Sequence, residues 1–275
     1  MEDVVIIGAA RTAIGKFNGS LKDVPAPALG SVAIRAAVER SGLMPSDIEE
    51  CLMGNVLSAS LGQNPARQAA VGAGLPVEIG STTINKVCGS GMKAVMLAAN
   101  AIKAGEYEVI VAGGMENMNA APYLLPQARF GYRLGDGKAI DHMVRDGLWD
   151  AFTDVHMGIT AETVAERFHV TREQADMLAY ESHVKAHRAQ REGRFDREIA
   201  PVVVKGKKGE TVFDKDEGIR PDTTPEVLAK LPPSFKKDGI VTAGNASQLS
   251  DGAAALVVCS RRYAEARGIE PMAEI

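Results

Sequence analysis

The chain has 275 residues, 45% hydrophobic and 24% charged, with a net charge of −4 and a pI near 5.8. That composition supports one large or two smaller folded domains and excludes default disorder and a broad nucleic-acid surface. Three cysteines without a C-x-x-C pair supply neither a disulfide framework nor a zinc site, a usage that suits the reducing cytoplasm.

Glu2 and Asp3 open the chain where a secretory signal would carry basic charge and a longer apolar core, and no run is long enough for a membrane-spanning helix. The predicted elements then alternate. Residues 3–9 read as a strand, 28–40 as a helix opened by Pro27, 50–57 as a strand and 65–73 as a helix. A strand over 81–87, a helix over 92–103 and a buried strand over 108–114 follow. Such alternation implies an α/β fold, a mostly parallel or mixed β-sheet covered by helices. From residue 118 the pattern loosens, with helices only over 160–168 and 171–191, and sheet-like sequence resumes at 253–258. The economical division is an N-terminal α/β domain of residues 1–117 and 250–275, interrupted by an inserted loop domain over 118–249 that covers a ligand. Within it, Lys205-Gly206-Lys207-Lys208-Gly209 reads as a solvated turn between strands.

The stretch Asn85-Lys86-Val87-Cys88-Gly89-Ser90-Gly91-Met92-Lys93 sets a lone cysteine between strand and helix. Gly89 and Gly91 permit a sharp turn, and Met92, Val95, Met96 and Ala99 recur on one helical face. Unpaired N–H groups and the positive end of the helix dipole would favour a thiolate at Cys88. A free cysteine otherwise packs as a small hydrophobe, the reading that suits Cys51 and Cys259 in their apolar runs. Gly113-Gly114-Met115-Glu116-Asn117 lacks the residues of a phosphate loop; its glycines would let the strand approach the Cys88 turn, with Glu116 and Asn117 bracing it. His183 and His187 have metal-ligand spacing but neither the glutamate of a zincin nor a third ligand, so a solvated helix face and no metal are expected.

Ala9-Ala10-Arg11-Thr12, Gly62-Gln63-Asn64-Pro65-Ala66-Arg67-Gln68, the Cys88 stretch, Gly113-Gly114-Met115-Glu116-Asn117-Met118, His156-Met157-Gly158 and Val241-Thr242-Ala243-Gly244-Asn245-Ala246-Ser247 are motifs in the order found in thiolases. The chain resembles the biosynthetic, acetyl-CoA-condensing branch of that family. The resemblance implies two halves of like topology packed as a five-layered α/β sandwich, with a loop domain inserted in the first. It implies acyl transfer through acetyl-Cys88, an enolate of a second acetyl-CoA then giving acetoacetyl-CoA in a reversible Claisen condensation. It implies coenzyme A thioesters as substrates and no permanently bound cofactor. By resemblance Arg220 meets the adenine and phosphates, His156 lies beside the pantetheine arm, Ser247 hydrogen-bonds a pantetheine amide, and Leu148, Met157, Leu231, Phe235, Ala243 and Leu249 line the arm. Residues 124–135 resemble the loop that joins dimers into a homotetramer, and alternating Phe130, Tyr132 and Leu134 would be covered either by a second subunit or by packing back on their own domain.

The family's N-E-A-F asparagine, G-H-P histidine and C-x-G-G-G cysteine do not occur in these residues. The chain therefore reads as the nucleophile-and-loop portion of a thiolase, the C-terminal half of the fold being absent, and is expected to be acylated poorly and not to condense on its own. The alternatives are a degradative 3-ketoacyl-CoA thiolase, a decarboxylating ketosynthase of the same superfold, and a non-catalytic binding or assembly fragment.

Overall fold

The computed structural model describes residues 2–207 and 209–275. Met1, and Lys208 of the expected charged turn, lie outside them. In chain order the elements are β1 (Val4–Thr12), β2 (Gly15–Lys16), α1 (Ala26–Ser41), β3 (Glu50–Gly54), α2 (Pro65–Ala73), β4 (Gly80–Ile84), α3 (Ser90–Ala104) and β5 (Val109–Asn117). Then come β6 (Tyr123–Leu124), β7 (Ile140–Asp141), a π-helical turn over Met143–Leu148, β8 (Trp149–Asp150), β9 (Val155–His156), α4 (Met157–Phe168) and α5 (Arg172–Arg191). The chain continues through β10 (Ile199–Ala200), β11 (Val202–Gly206), β12 (Gly209–Phe213), α6 (Pro225–Ala229), β13 (Ser250–Ser260), α7 (Arg261–Ala266) and β14 (Ala273–Glu274).

Contacts divide these elements into two units: Met1–Pro122 with Glu198–Glu217 and Ser250–Ile275, and Tyr123–Arg197 with Gly218–Leu249. The first unit holds one mixed sheet in the order β10-β1-β13-β5-β3-β4. β3 runs parallel to β4 and β5, the α2 and α3 crossovers supplying the connections, while β13 runs antiparallel to β1 and β5. Side chains alternate between two cores. Val5, Cys51, Met53, Val109, Val111, Val257 and Cys259 pack with α1 and α2 on one face, while Val4, Leu52, Ile110, Ala112 and Val258 pack with α3 on the other.

The helix buried on that second face is lined by Ala94, Ala98, Ala99 and Ile102, whereas Met92 and Met96 are exposed. The apolar stripe expected through the methionines is thus rotated, because small side chains let α3 lie close on the sheet. Residues 198–217, assigned by sequence to the insertion, cluster with the first unit. Ile199 and Ala200 pair with Arg11 and Thr12 of β1. The Arg11 guanidinium joins Glu198 (2.9 Å) to Asp216 (2.7 Å), and Arg40 donates to the Glu198 carbonyl (2.9 Å). Residues that are polar and turn-rich in sequence are held by charges distant along the chain.

The Gly62–Gln68 motif is a clasp between α2 and β4. Asn64 accepts from Arg67 N–H (3.3 Å) and Thr83 Oγ1 (2.7 Å) and donates to the Ser81 carbonyl (2.9 Å), while Arg67 donates to the Ile79 carbonyl (2.8 Å). In the second unit Thr171 and Gln174 form a reciprocal capping box that starts α5 one residue after the sequence places it.

Candidate active site

Cys88 stands at the apex of a turn held by its neighbours. β4 stops at Ile84 rather than at Val87, because Val87 adopts φ +48°. A β-branched residue in the left-handed region costs about 1–3 kcal/mol and persists only where surrounding bonds impose it. They do so here. Asn85 Oδ1 accepts the Val87 N–H (3.0 Å). The buried Ser90 Oγ accepts the Lys86 N–H (2.8 Å) and donates to the Val87 carbonyl (2.6 Å). Gly89 N–H reaches the Lys86 carbonyl (3.1 Å), and α3 begins at Ser90 with Gly89 as its N-cap residue. Cys88 is exposed. Ser90 is the residue that reading by motif passed over; its position in the first helical turn was the available signal.

The start of α3 rests on two glycines, Gly54 at the end of β3 and its pairing partner Gly114 within β5. A β carbon on Gly54 would stand 2.6 Å from Ser90 Cβ and 2.8 Å from Gly91 N, and one on Gly114 would stand 3.3 Å from Gly91 Cα. The strand ends are locked together by Asn55 and Glu116. Asn55 donates through its side chain to Glu116 Oε1 (2.8 Å) and through its backbone to the Ile84 carbonyl (3.0 Å). Glu116 also accepts the N–H groups of Val56 (2.8 Å) and Leu57 (3.1 Å). Asn117 points elsewhere, as the next residue of a strand must. It donates to the carbonyls of Leu21 (2.9 Å) and Val24 (2.7 Å), so it braces residues 21–24 and not the Cys88 turn, contrary to the expectation for it.

The other two thiols are buried. Burial, with Glu50 adding to it, pushes the Cys51 thiol up to about 12. Burial, with Glu108 adding to it, pushes Cys259 up to about 11. Both face α1 and α2, the side of the sheet opposite α3.

The residues matched to coenzyme A contacts all belong to the second unit. His156 caps α4, its Nδ1 accepting the Gly158 N–H (3.0 Å), and its ring stacks on Phe235 at 4.8 Å between centroids and meets Trp149 edge-on at 6.4 Å. Met157 and Phe235 are partly exposed at 37% and 36%. Leu148 closes the π-helical turn, whose preceding residue His142 pairs with Asp146. Ala243 and Ser247 are exposed and Leu249 and Leu231 half-buried. The turn carrying Ala243 hangs on the buried Glu162, which accepts the N–H groups of Ile240 (2.9 Å) and Val241 (2.8 Å), and on Asn245, which accepts the Thr242 N–H (2.7 Å). Arg220 is exposed, and its backbone N–H is accepted by His183 Nδ1 (3.2 Å). His183 therefore has a defined partner instead of a purely solvated face. Among the described residues no group of three His, Cys, Asp or Glu could hold a metal, and no helix is long and apolar enough to cross a membrane.

A family model for the thiolase N-terminal domain matches residues 4–262. The chain belongs to the thiolase family. It is 56% identical over 276 residues to an acetyl-CoA acetyltransferase of Cupriavidus necator, covering 100% of this chain and 70% of that protein. Over the same shares it is 55% identical to an acetyl-CoA acetyltransferase of Pseudomonas aeruginosa. The crystal structure of the Bacillus anthracis acetyl-CoA acetyltransferase superposes with a TM-score of 0.97 at 43% identity, over 100% of this chain and 70% of that one. The mixed sheet with helices on both faces is thus a thiolase-like fold, as the motifs implied.

Proposed function

We propose that this chain carries the acyl-accepting part of an acetyl-CoA acetyltransferase, with Cys88 as the catalytic nucleophile. The observation that carries the reading is the Cys88 turn: the exposed thiol is held at the start of α3 by a backbone kept in a costly conformation. The Cys88 thiolate attacks the carbonyl carbon of acetyl-CoA, a tetrahedral intermediate forms, and the C–S bond to coenzyme A breaks to release its thiolate. Acetyl-Cys88 remains. Because one thioester replaces another, the step is close to thermoneutral and reversible. In the condensation implied by the family, a base outside these residues, by resemblance the C-x-G-G-G cysteine, takes an α proton from a second acetyl-CoA; the resulting carbanion attacks acetyl-Cys88, acetoacetyl-CoA leaves and the Cys88 thiolate is restored.

Arg220, His156, Met157, Phe235, Leu148, Leu231, Ala243, Ser247 and Leu249 are read as the contacts of coenzyme A: a cation for the phosphates, a mixed aromatic and aliphatic lining for the arm, and one hydroxyl for an amide. The names of the relatives in Cupriavidus and Pseudomonas support an acetyl group as the acyl unit. Phe130 at 77% and Leu134 at 99% exposure support a homo-oligomer assembled through residues 124–135. Free cysteines support a cytoplasmic setting.

The test is mass spectrometry of the chain after incubation with acetyl-CoA. Acetylation of the peptide containing Cys88 in a minor fraction of the chains, lost in Cys88→Ser, is expected. Acetyl groups scattered over lysines, or none at all, would overturn the assignment.

A further inference from the structure

Asp176 is the buried junction between the end of α6 and the 240–246 turn, both far from it along the chain. Its side chain, on α5, is 8% exposed, and Oδ2 accepts Arg172 Nε at 2.7 Å. Oδ1 accepts Asn245 Nδ2 at 2.8 Å. The same arginine donates through its terminal nitrogen to the carbonyls of Leu228 (2.7 Å) and Leu231 (3.0 Å), where α6 ends. Asn245 in turn donates to the Ile240 carbonyl (2.9 Å) and accepts the Thr242 N–H (2.7 Å), closing the 240–246 turn. The two segments also touch directly: a β carbon on Gly244 would stand 2.5 Å from both Leu228 Cδ2 and Leu231 Cδ1.

We infer that Arg172, Asp176 and Asn245 form a positioning hub that sets the spacing between the Leu231 segment and the Ala243–Ser247 turn, and thereby the fit of the pantetheine arm of an acyl-CoA. The inference rests on the reading of those two segments as arm contacts. A carboxylate is required at the junction because both neighbours are donors. An amide at position 176 could accept from only one of them, and its own N–H2 would face the other. Breaking either bond in a buried setting strands a donor and frees one segment from the other. Arg220 and its partner His183 are not bonded to the hub, so contacts to the nucleotide end are independent of it.

The test compares the full 275-residue chain with Asp176→Asn in calorimetric titrations of coenzyme A and of adenosine 3′,5′-bisphosphate. The expected result is a roughly tenfold rise in Kd for coenzyme A, the weight of about one charge-assisted hydrogen bond, with the bisphosphate Kd changed less than about twofold. An unchanged coenzyme A Kd overturns the hub, and so does an equal loss for both ligands, which would mark general loosening. Failure of the unsubstituted chain to bind coenzyme A overturns the acyl-CoA reading itself. Should Asp176→Asn not fold, Arg172→Lys serves instead: it keeps a cation for Asp176 but loses the fork that reaches Leu228 and Leu231, and the same selective loss is expected, with its absence again overturning the hub.

Discussion

Gly54 and Ser90 touch so closely that no other residue fits at position 54: a β carbon there would lie 2.6 Å from Ser90 Cβ. The contact seats the first turn of α3, and with it the Cys88 turn, on the end of β3. Gly54→Ala should therefore push α3 outward, lowering stability by about 1–3 kcal/mol, the usual cost of overpacking. Urea unfolding would read the stability, and the rate of Cys88 alkylation by iodoacetamide should fall with it. An alanine tolerated at wild-type stability and alkylation rate would show that the seat is not tight.

Ser90 should be sensitive to loss of its hydroxyl. Ser90→Ala removes the acceptor of the Lys86 N–H and one of the two donors to the Val87 carbonyl, the side-chain bonds that hold Val87 at φ +48°. A cost of about 0.5–1.5 kcal/mol is expected. Because the left-handed conformation of Val87 would then relax, the alkylation rate of Cys88 should change more than that of any other thiol. Hydrogen exchange at residues 85–90, which should rise, provides a second readout.

Thiol counting separates the cysteines. With Cys51 and Cys259 buried and their thiols pushed up to about 12 and about 11, brief iodoacetamide treatment of the native chain should label one cysteine, Cys88, and all three only in denaturant. Cys88→Ser should abolish native labelling. Native labelling of Cys51 or Cys259 at a comparable rate would contradict the burial of both.

His183 should make the second unit sensitive to acid. Burial first, and then the charge of Arg220, hold its imidazole below the ordinary value of 6.5, with Asp222 opposing. The neutral ring accepts the Arg220 N–H, and the protonated ring cannot. Since the folded-state value is lowered, this contribution to stability is fully present above 6.5 and is lost as the pH falls through the folded value. His183→Asn keeps an acceptor but does not titrate. The difference in unfolding free energy between the two proteins should therefore vary with pH only below the free-histidine value, and a flat difference would remove His183 from the acid response.

Much of the fold was legible along the chain because the signals are local. Asn64, Pro65 and Gly74 bracket α2, whose limits agree with the expected ones. A cysteine followed by two glycines where a helix starts points to the Cys88 turn. The misjudged points share a cause. Val87 was read as strand because β-branched residues favour extension, yet Asn85 and Ser90 force it left-handed. Met92, Val95, Met96 and Ala99 share an apolar face by spacing, yet the glycines of β3 and β5 bring α3 so near that Ala94, Ala98 and Ala99 occupy the interface and the two methionines stay exposed. Asn117 was paired with Glu116 in one task, although neighbours on a strand point to opposite faces.

Element type, the alternation of strand and helix, the lone cysteine in its glycine setting and the family motifs are properties of short windows, set by residue propensity and spacing. The pairing of Ile199–Ala200 with β1, the bonds of Glu116 to the end of β3, and the junction of Arg172, Asp176 and Asn245 lie beyond any window. They join residues distant along the chain, and their partners are chosen by which donors and acceptors the packed backbone leaves unmatched once water is excluded.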